Sequence, residues 1–218
     1  MFDAFLFDLD GTLLDSEALW IDAIGRALQE RGIAISHAAV TELVLGRSWP
    51  DIFADIQRRF PNVYADRAEI EAITVPLYKH WVETRDVRIH SSIDLLRRLA
   101  KLAPTVIVSG STRDRIAESI ELMDIEDLVP FHIGAEDYTA GKPDPACFLM
   151  AAEQLRVLPE HCLVFEDSPA GVVAAKAAGM TCVALHRQDT PPPAGADLVL
   201  ADLGAFSFDL LPHTPFGG

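Results

Sequence analysis

The chain has 218 residues, of which half are apolar and 23% are charged, a composition typical of globular proteins. It carries 18 Lys and Arg against 33 Asp and Glu, which gives a net charge of −15. Because nucleic acids and anionic membranes are bound by basic surfaces, this charge argues against both as main partners. A small phosphate-bearing ligand is compatible with this net charge, since a metal ion and a few local cations can make one pocket positive.

The length accommodates one sizeable domain, or a core with a smaller insert. Cys147, Cys162 and Cys182 are widely spaced, which predicts reduced, buried thiols. Met1 leads almost directly into an apolar strand, so we expect no signal peptide, and no apolar stretch approaches the ~20 residues of a membrane span. We therefore expect a cytoplasmic protein, with a monomer as the default because nothing suggests an obligate oligomer.

The first predicted element is a buried strand that leads into two acidic residues. Residues 4–7 are apolar on both faces, as in a parallel strand covered on both sides. Asp8 and Asp10 are two residues apart, so on an extended backbone their side chains point the same way. Carboxylates in such a place need a cation or a phosphoryl group as partner. An ordinary acidic turn explains Asp10 and Gly11 but gives no reason for Asp8.

From Asp15 onward the apolar residues recur at helical spacing. This pattern predicts four helices, over residues 19–32 and then roughly 36–45, 50–60 and 65–84. Pro76 is expected to kink or split the last of them. Nothing between residues 16 and 84 has the pattern of a buried strand, so this stretch is predicted to be an all-helical block.

From Val87 onward, strands and helices alternate. The predicted strands cover residues 105–108, 131–134, 162–165, 181–185 and 198–200, and the predicted helices 91–102, 111–123, 144–156 and 170–178. Ser91 and Ser111 are the expected caps of the first two helices. Alternation implies an α/β fold with a parallel sheet covered on both faces. The N-terminal strand must join this sheet, so residues 1–15 and 86–218 form the core and residues 16–85 an inserted domain.

The first stretch also carries a family resemblance. Residues 8–13, with the sequence DLDGTL, followed by DSE at residues 15–17, resemble the nucleophile motif of the haloacid dehalogenase superfamily. Within it, the chain is similar to the branch that contains phosphoglycolate phosphatases, sugar-phosphate phosphatases and β-phosphoglucomutase. Ser109, Lys142 and the pair Glu166-Asp167 match the other three motifs in order and approximate spacing. The resemblance covers nearly the whole chain and implies a Rossmann-like core with a mobile helical cap.

The resemblance also implies roles for these residues in a Mg²⁺-dependent phosphatase. Asp8 would be the nucleophile that forms an aspartyl phosphate, and Asp10 the general acid and base. Lys142 and Ser109 would contact the phosphoryl group, together with backbone amides around Leu9, Asp10 and Gly110. The expected Mg²⁺ ligands are the Asp8 carboxylate, the Asp10 carbonyl and one or both of Glu166 and Asp167. The sequence itself supports the convergence of acids, a lysine and a hydroxyl at strand ends.

Three residues of the predicted cap are candidates for substrate binding. Arg47 can grip a distal carboxylate or phosphate, although a solvated arginine explains it equally well. Trp20 and Trp49 can line a substrate pocket, although packing inside the cap is the simpler explanation for at least one. Trp20, Leu45 and Trp49 stand where β-phosphoglucomutase has a histidine, a lysine and an arginine. These departures favour a hydrolase over a mutase.

The preferred function is therefore a Mg²⁺-dependent phosphatase of a small phosphorylated metabolite, most simply a sugar or sugar-acid phosphate. The alternatives are a phosphosugar mutase of the β-phosphoglucomutase type and a non-catalytic protein that binds a phosphorylated metabolite. Because binding alone needs neither a nucleophile nor an acid, the presence of both Asp8 and Asp10 argues against the last. The identity of the metabolite is expected to depend on the cap helices.

Overall fold

The computed structural model describes residues 2–44, 49–187 and 191–212. It divides into two compact units, Met1–Leu14 with Arg88–Gly218 and Asp15–Val87, which we call the core unit and the helical unit. None of the helices within the described ranges is both long and apolar enough to cross a membrane.

The described residues form six strands and eight α-helices, numbered here in chain order. The strands are β1 (Ala4–Phe7), β2 (Thr105–Val108), β3 (His132–Ile133), β4 (Cys162–Glu166), β5 (Thr181–Leu185) and β6 (Leu198–Leu200). The helices of the helical unit are α1 (Glu17–Glu30), α2 (His37–Val44), α3 (Trp49–Arg59) and α4 (Arg67–Thr84). Those of the core unit are α5 (His90–Leu99), α6 (Arg113–Met123), α7 (Ala146–Leu155) and α8 (Pro169–Ala177). The predicted fold class, a parallel α/β sheet with an all-helical insertion, is confirmed.

The sheet of the core unit is parallel throughout, in the order β3-β2-β1-β4-β5-β6. The chain builds outward from β1 through β2 to β3, then crosses back to the other side of β1 and continues from β4 to β6. The order of the strands therefore reverses beside β1, between its two neighbours β2 and β4. In open parallel sheets the crevice at such a reversal, beyond the carboxyl ends of the strands, is where ligands bind.

Register and side-chain alternation bring two acidic residues together at that crevice. Phe7 of β1 is aligned with Phe165 of β4, and the Asp8 amide donates to the Phe165 carbonyl at 2.9 Å. Leu6 and Val164 belong to a buried cluster that includes residues of α7 and α8. Because successive side chains point to opposite faces, Asp8 and Glu166 follow onto the same face. Both carboxylates therefore lie on the α7–α8 side of the sheet.

The helical unit encloses its own apolar core, to which α1, α2, α3 and α4 all contribute. In α4 the buried residues Ile70, Thr74 and Tyr78 are four apart, so they share one face of the helix. The helix continues from Arg67 to Thr84 with Pro76 inside it, and it is not split there. Packing of the buried face on both sides of Pro76 outweighs the hydrogen bond that a proline removes.

The predicted caps of α5 and α6 are both wrong. Ile89 occupies the N-cap of α5 without a side-chain bond, and its amide donates to the Leu13 carbonyl at 2.9 Å, so a backbone contact sets the start of this helix. Ser91 lies one residue inside the helix. The cap of α6 is Thr112, whose hydroxyl accepts from the Arg115 amide. Ser111 precedes the cap, and its hydroxyl contacts an acidic residue instead.

Candidate active site

Lys142 joins the ends of three central strands. Its ammonium group donates to Asp8 Oδ1 at 2.6 Å, to Glu166 Oε1 at 2.7 Å and to the Val108 carbonyl at 3.0 Å. These three bonds satisfy all three of its donors. The ammonium also lies 5.1 Å from the centre of the Phe148 ring in α7. The lysine is thus buried and fixed, with one carboxylate on each side.

Glu166 is saturated by hydrogen bonds within the protein. Besides the contact of Oε1 with Lys142, its Oε2 accepts from the amides of Asp167 and Ser168 at 2.8 Å each and from the Ser168 hydroxyl at 2.9 Å. Ser168 also caps α8 by accepting from the Gly171 amide. Glu166 therefore orients Lys142 and the start of α8 at the same time.

Two glycines leave room for the acidic side chains. A Cβ on Gly171 would lie 1.7 Å from Glu166 Oε1, and a Cβ on Gly11 would lie 1.9 Å from Asp167 Oδ2. Gly11 also has a φ of +90°, in the left-handed region that favours glycine. Any other residue at these two positions would displace a carboxylate of the site.

Asp8, Glu166 and Asp167 each offer one carboxylate oxygen within 4.8 Å of the others. Asp167 is half-buried, and its Oδ1 accepts a long bond, 3.4 Å, from the Thr12 hydroxyl. Three carboxylates beside one lysine carry excess negative charge, and hard oxygen donors are what Mg²⁺ prefers. The residues present therefore fit a divalent cation.

Burial and mutual charge shift the pKa values of this cluster. Burial raises the pKa of Asp8 well above its usual range; Lys142 opposes this effect, and the nearby Glu166 and Asp10 add to it. For Lys142, burial alone lowers the pKa, but the carboxylates of Asp8 and Glu166 outweigh it and raise the pKa well above its ordinary value. The charged forms of Lys142 and Asp8 therefore support each other, and a further positive charge beside Asp8 would favour its ionised form.

Asp10 faces a different set of partners from Asp8. Its Oδ2 accepts from the Ser111 hydroxyl at 2.7 Å, and its Oδ1 from Arg115 Nη2 at 3.1 Å. The Ser109 hydroxyl accepts from the Ser111 amide at 3.0 Å and lies 3.5 Å from Asp10 Oδ2, at the limit of hydrogen bonding. The Asp8 carboxylate thus belongs to the cluster that can hold a metal ion. The Asp10 carboxylate is held instead by α6 and the loop before it.

The backbone positions predicted to help bind phosphate lie beside these groups. Leu9 is fully buried, so its side chain is not available to a ligand. Gly110 follows Ser109 at the end of β2 and is exposed, with open space around its Cα. The carbonyl of Ser109 is held by the Tyr138 hydroxyl at 3.1 Å, and burial raises the pKa of Tyr138 to about 12. Tyr138 therefore remains a donor that fixes this turn.

Residues 2–179 match the family model described as haloacid dehalogenase-like hydrolase. The chain belongs to this family. The predicted family and the prediction of an enzyme of this family are therefore confirmed.

Two phosphatases of other organisms are similar to the chain over most of its length. Validoxylamine A 7'-phosphate phosphatase of Streptomyces hygroscopicus subsp. limoneus is 31% identical over 205 residues, which cover 93% of this chain and 95% of that protein. Hexitol phosphatase A of Escherichia coli K12 is 32% identical over 212 residues, 91% of this chain and 90% of that protein.

A solved structure from the same family agrees in fold. The family IA, variant 3 hydrolase of Entamoeba histolytica superimposes with a TM-score of 0.80 at 24% identity, covering 95% of this chain and 96% of that one. At this identity the likeness concerns the fold alone.

The tryptophans predicted to bind substrate pack within the helical unit. The Trp20 ring stacks on Tyr78 with centroids 4.4 Å apart and meets the edge of Trp49 at 5.4 Å. Both tryptophans are partly buried against the apolar core of this unit. Packing therefore gives each a structural role, and a role in substrate binding stays a prediction. Arg47, the third candidate, lies outside the described residues, as does Leu45.

Sequence reasoning missed the residues that hold Asp10. The sequence predicts Ser111 as a helix cap and gives no role to Arg115. A signal for Arg115 exists, because Arg113 and Arg115 both lie in the first turn of α6, where the helix dipole disfavours cations. Charges that break a local rule in this way point to partners elsewhere in the fold.

Proposed function

We propose that this haloacid dehalogenase-like protein is a Mg²⁺-dependent phosphatase of small phosphorylated metabolites. The observation that carries the proposal is the buried Lys142, bonded to both Asp8 and Glu166, with Asp167 in the same carboxylate cluster. A phosphate monoester dianion repels an anionic nucleophile, so a site for its hydrolysis must first cancel charge. A buried lysine and a metal-type cluster beside one ionisable aspartate meet that need.

In this proposal Asp8 attacks phosphorus and the bond from phosphorus to the leaving oxygen breaks. Asp10 gives its proton to that oxygen, so the alcohol leaves neutral and Asp8 becomes an aspartyl phosphate. Asp10, now ionised, takes a proton from a water molecule that attacks the same phosphorus. The phosphate then leaves and Asp8 is restored. Lys142 and Ser109 contribute a positive charge and a hydroxyl donor to the phosphoryl oxygens.

The Mg²⁺ ligands that we propose are the Asp8 carboxylate, the Asp10 backbone carbonyl and the Asp167 carboxylate. Glu166 fits a supporting role better, because four hydrogen bonds already occupy its oxygens. When bound, Mg²⁺ would neutralise the charge of the phosphoryl group and orient it toward the nucleophile.

The substrate class is proposed from the relatives. One is named for validoxylamine A 7'-phosphate and the other for hexitol, so polyhydroxylated phosphate monoesters are the first compounds to test. We further propose that the helical unit acts as a cap that selects among them, with Arg47, Trp20 and Trp49 as its candidate contacts. Cytoplasmic location and a monomeric state remain predictions.

The test is phosphate release from a panel of hexitol phosphates, hexose 6-phosphates, hexose 1-phosphates and phosphoglycolate, with Mg²⁺ and with EDTA. The wild type is compared with Asp8→Asn, which keeps the size of the side chain but removes the nucleophile. Asp94→Asn, on the exposed side of α5, is the matched control. We expect Mg²⁺-dependent release that Asp8→Asn abolishes and Asp94→Asn leaves unchanged.

Other outcomes would contradict the proposal or favour one of the alternative functions. Conversion of hexose 1-phosphate to hexose 6-phosphate without release of phosphate would establish a mutase. Binding of these compounds without either reaction, measured by calorimetry, would establish a non-catalytic binding protein. Release that persists in EDTA or in Asp8→Asn would contradict the metal or the nucleophile of the mechanism.

A further inference from the structure

Arg115 connects α6 to the proposed acid and base. Its Nη2 lies 3.1 Å from Asp10 Oδ1, and the two residues are 105 positions apart in sequence. The side chains are 24% and 27% exposed, so the pair is partly shielded from water. On the other side of the carboxylate, the Ser111 hydroxyl donates to Oδ2 at 2.7 Å. Each carboxylate oxygen of Asp10 therefore accepts a bond from α6 or the residue just before its cap.

The position of Arg115 is unfavourable for its own helix. It is the third residue of α6, where the positive end of the helix dipole repels a cation. Its place is fixed because its amide bonds the Thr112 cap. Arg113 in the same turn differs: its side chain is 58% exposed and pairs with Asp137 at 2.9 Å. Of these two arginines, Arg115 is the one bonded to a residue of the proposed machinery.

We propose that Arg115 is a positioning residue that holds the Asp10 carboxylate for the second half of the reaction. In that half, water attacks the aspartyl phosphate, the water loses a proton to Asp10, and the bond between Asp8 and phosphorus breaks. A carboxylate that accepts bonds at both oxygens is oriented and in the form that can accept a proton. The inference rests on the proposed function, because it assigns Arg115 a task within that mechanism.

The first half of the reaction makes a different demand. Asp10 must then supply a proton, and a leaving group that is already a good one needs little of that help. With 4-nitrophenyl phosphate, formation of the aspartyl phosphate is therefore expected to tolerate a misplaced Asp10, whereas its hydrolysis is not. This difference separates positioning of Asp10 from a general structural role of Arg115.

The experiment mixes 4-nitrophenyl phosphate and Mg²⁺ rapidly with the full-length protein and follows nitrophenol. When hydrolysis of the aspartyl phosphate is the slower step, the initial burst reports phosphorylation of Asp8 and the steady rate reports hydrolysis of the aspartyl phosphate. For Arg115→Met we expect a burst rate within about twofold of the wild type and a steady rate about tenfold lower. Acid-quenched protein should then carry one phosphate by mass spectrometry. Arg113→Met, the matched control from the same turn, should change neither rate.

Further variants keep the test decisive. Asp10→Asn should show the same pattern with a larger fall, and adding Arg115→Met to it should cost no more, because both act through one carboxylate. Arg115→Lys retains the aliphatic stem and the charge, and it should show the same pattern with a smaller fall. It supplies the answer if Arg115→Met does not fold.

Three results would overturn the inference alone, the first two being equal falls of both rates in Arg115→Met and a double variant clearly slower than Asp10→Asn. Retention of the full steady rate by Arg115→Met would do the same. A wild type that releases no nitrophenol, or an Asp10→Asn variant with normal hydrolysis of the aspartyl phosphate, would instead overturn the proposed function on which the inference rests.

Discussion

Two sets of ion pairs, one from each unit, differ in their exposure and in what they join. In the core unit, the Lys142 side chain is 10% exposed and links Asp8 to Glu166, residues far apart in sequence. In the helical unit, Arg26 and Glu30 are one turn apart on α1, with side chains 63% and 46% exposed. An exposed pair adds little to stability, whereas a buried charge must be compensated by a partner. The cluster around Lys142 thus holds charges that packing alone would not select, which supports these strand ends as the candidate site.

Lys142→Met is the change with the largest expected effect, because it removes the cation of the buried cluster. It leaves the buried carboxylates of Asp8 and Glu166 without their cation. We expect phosphatase activity to fall by about 1000-fold or more and the free energy of unfolding to fall by roughly 3 kcal/mol. Phosphate release and urea unfolding measure the two effects.

Arg26→Met is the control for this prediction in the helical unit. Because its partner Glu30 stays solvated, the free energy of unfolding should change by less than about 0.5 kcal/mol. Similar losses of stability in Lys142→Met and Arg26→Met would contradict the distinction between these buried and exposed ion pairs.

Asp167→Asn and Glu166→Gln test which carboxylate of the cluster binds Mg²⁺ directly and which one supports the structure. Glu166 is bonded to Lys142 and to the start of α8, whereas Asp167 is half-buried at the rim of the cluster. We expect Asp167→Asn to raise the Mg²⁺ concentration for half-maximal activity by at least about tenfold. Glu166→Gln should lower the free energy of unfolding more and the Mg²⁺ affinity less. The reverse pattern would identify Glu166 as the direct ligand.

Glycines offer a milder comparison between the units. A Cβ on Gly171 would lie 1.7 Å from Glu166 Oε1, so Gly171→Ala must displace a carboxylate that orients Lys142. We expect a loss of about 1–3 kcal/mol in the free energy of unfolding, with reduced activity. A Cβ on Gly25 in α1 would lie 3.5 Å from Val40, an ordinary contact. Gly25→Ala should therefore stabilise by about 0.5–1 kcal/mol. Thermal unfolding of both variants checks the signs, and equal signs would refute the argument.

The sequence was sufficient for the strands because their apolar, β-branched composition is a local property. β2, β5 and β6 have the predicted bounds, and β1 ends just before the acidic residues that the motif contains. The approach of Asp8, Lys142 and Glu166 could also be anticipated, because parallel strands bring their carboxyl ends to one edge.

The contacts of Asp10 could not be predicted in the same way. They depend on which of two adjacent polar residues, Ser111 or Thr112, caps α6, and both are good cap residues. Thr112 takes the cap, which leaves the Ser111 hydroxyl for Asp10 and sets the start of the helix that carries Arg115. A choice of one residue at a helix end thus decides which side chains surround the proposed acid and base.

The smallest expected effect concerns Glu69 in the first turn of α4. Its carboxylate accepts from the Ala65 amide at 2.7 Å and pairs with Arg31. These two contacts, the Ala65 amide first, hold the pKa of Glu69 below its ordinary value of 4.5. Because the folded state favours the ionised form, this contribution to stability is present at neutral pH and is lost as the pH falls below that value.

Glu69→Gln should therefore unfold at a lower urea concentration than the wild type at about pH 7, and the difference should shrink toward about pH 3. Subtracting the unfolding free energies of the two proteins at each pH cancels the contribution of every titrating group that they share. A difference that stays constant over this range would mean that ionisation of the Glu69 carboxyl adds nothing to stability. The exposed ion pair of Glu69 and Arg31 would then contribute even less to stability than its geometry indicates. Its difference from the buried cluster around Lys142 would be correspondingly larger.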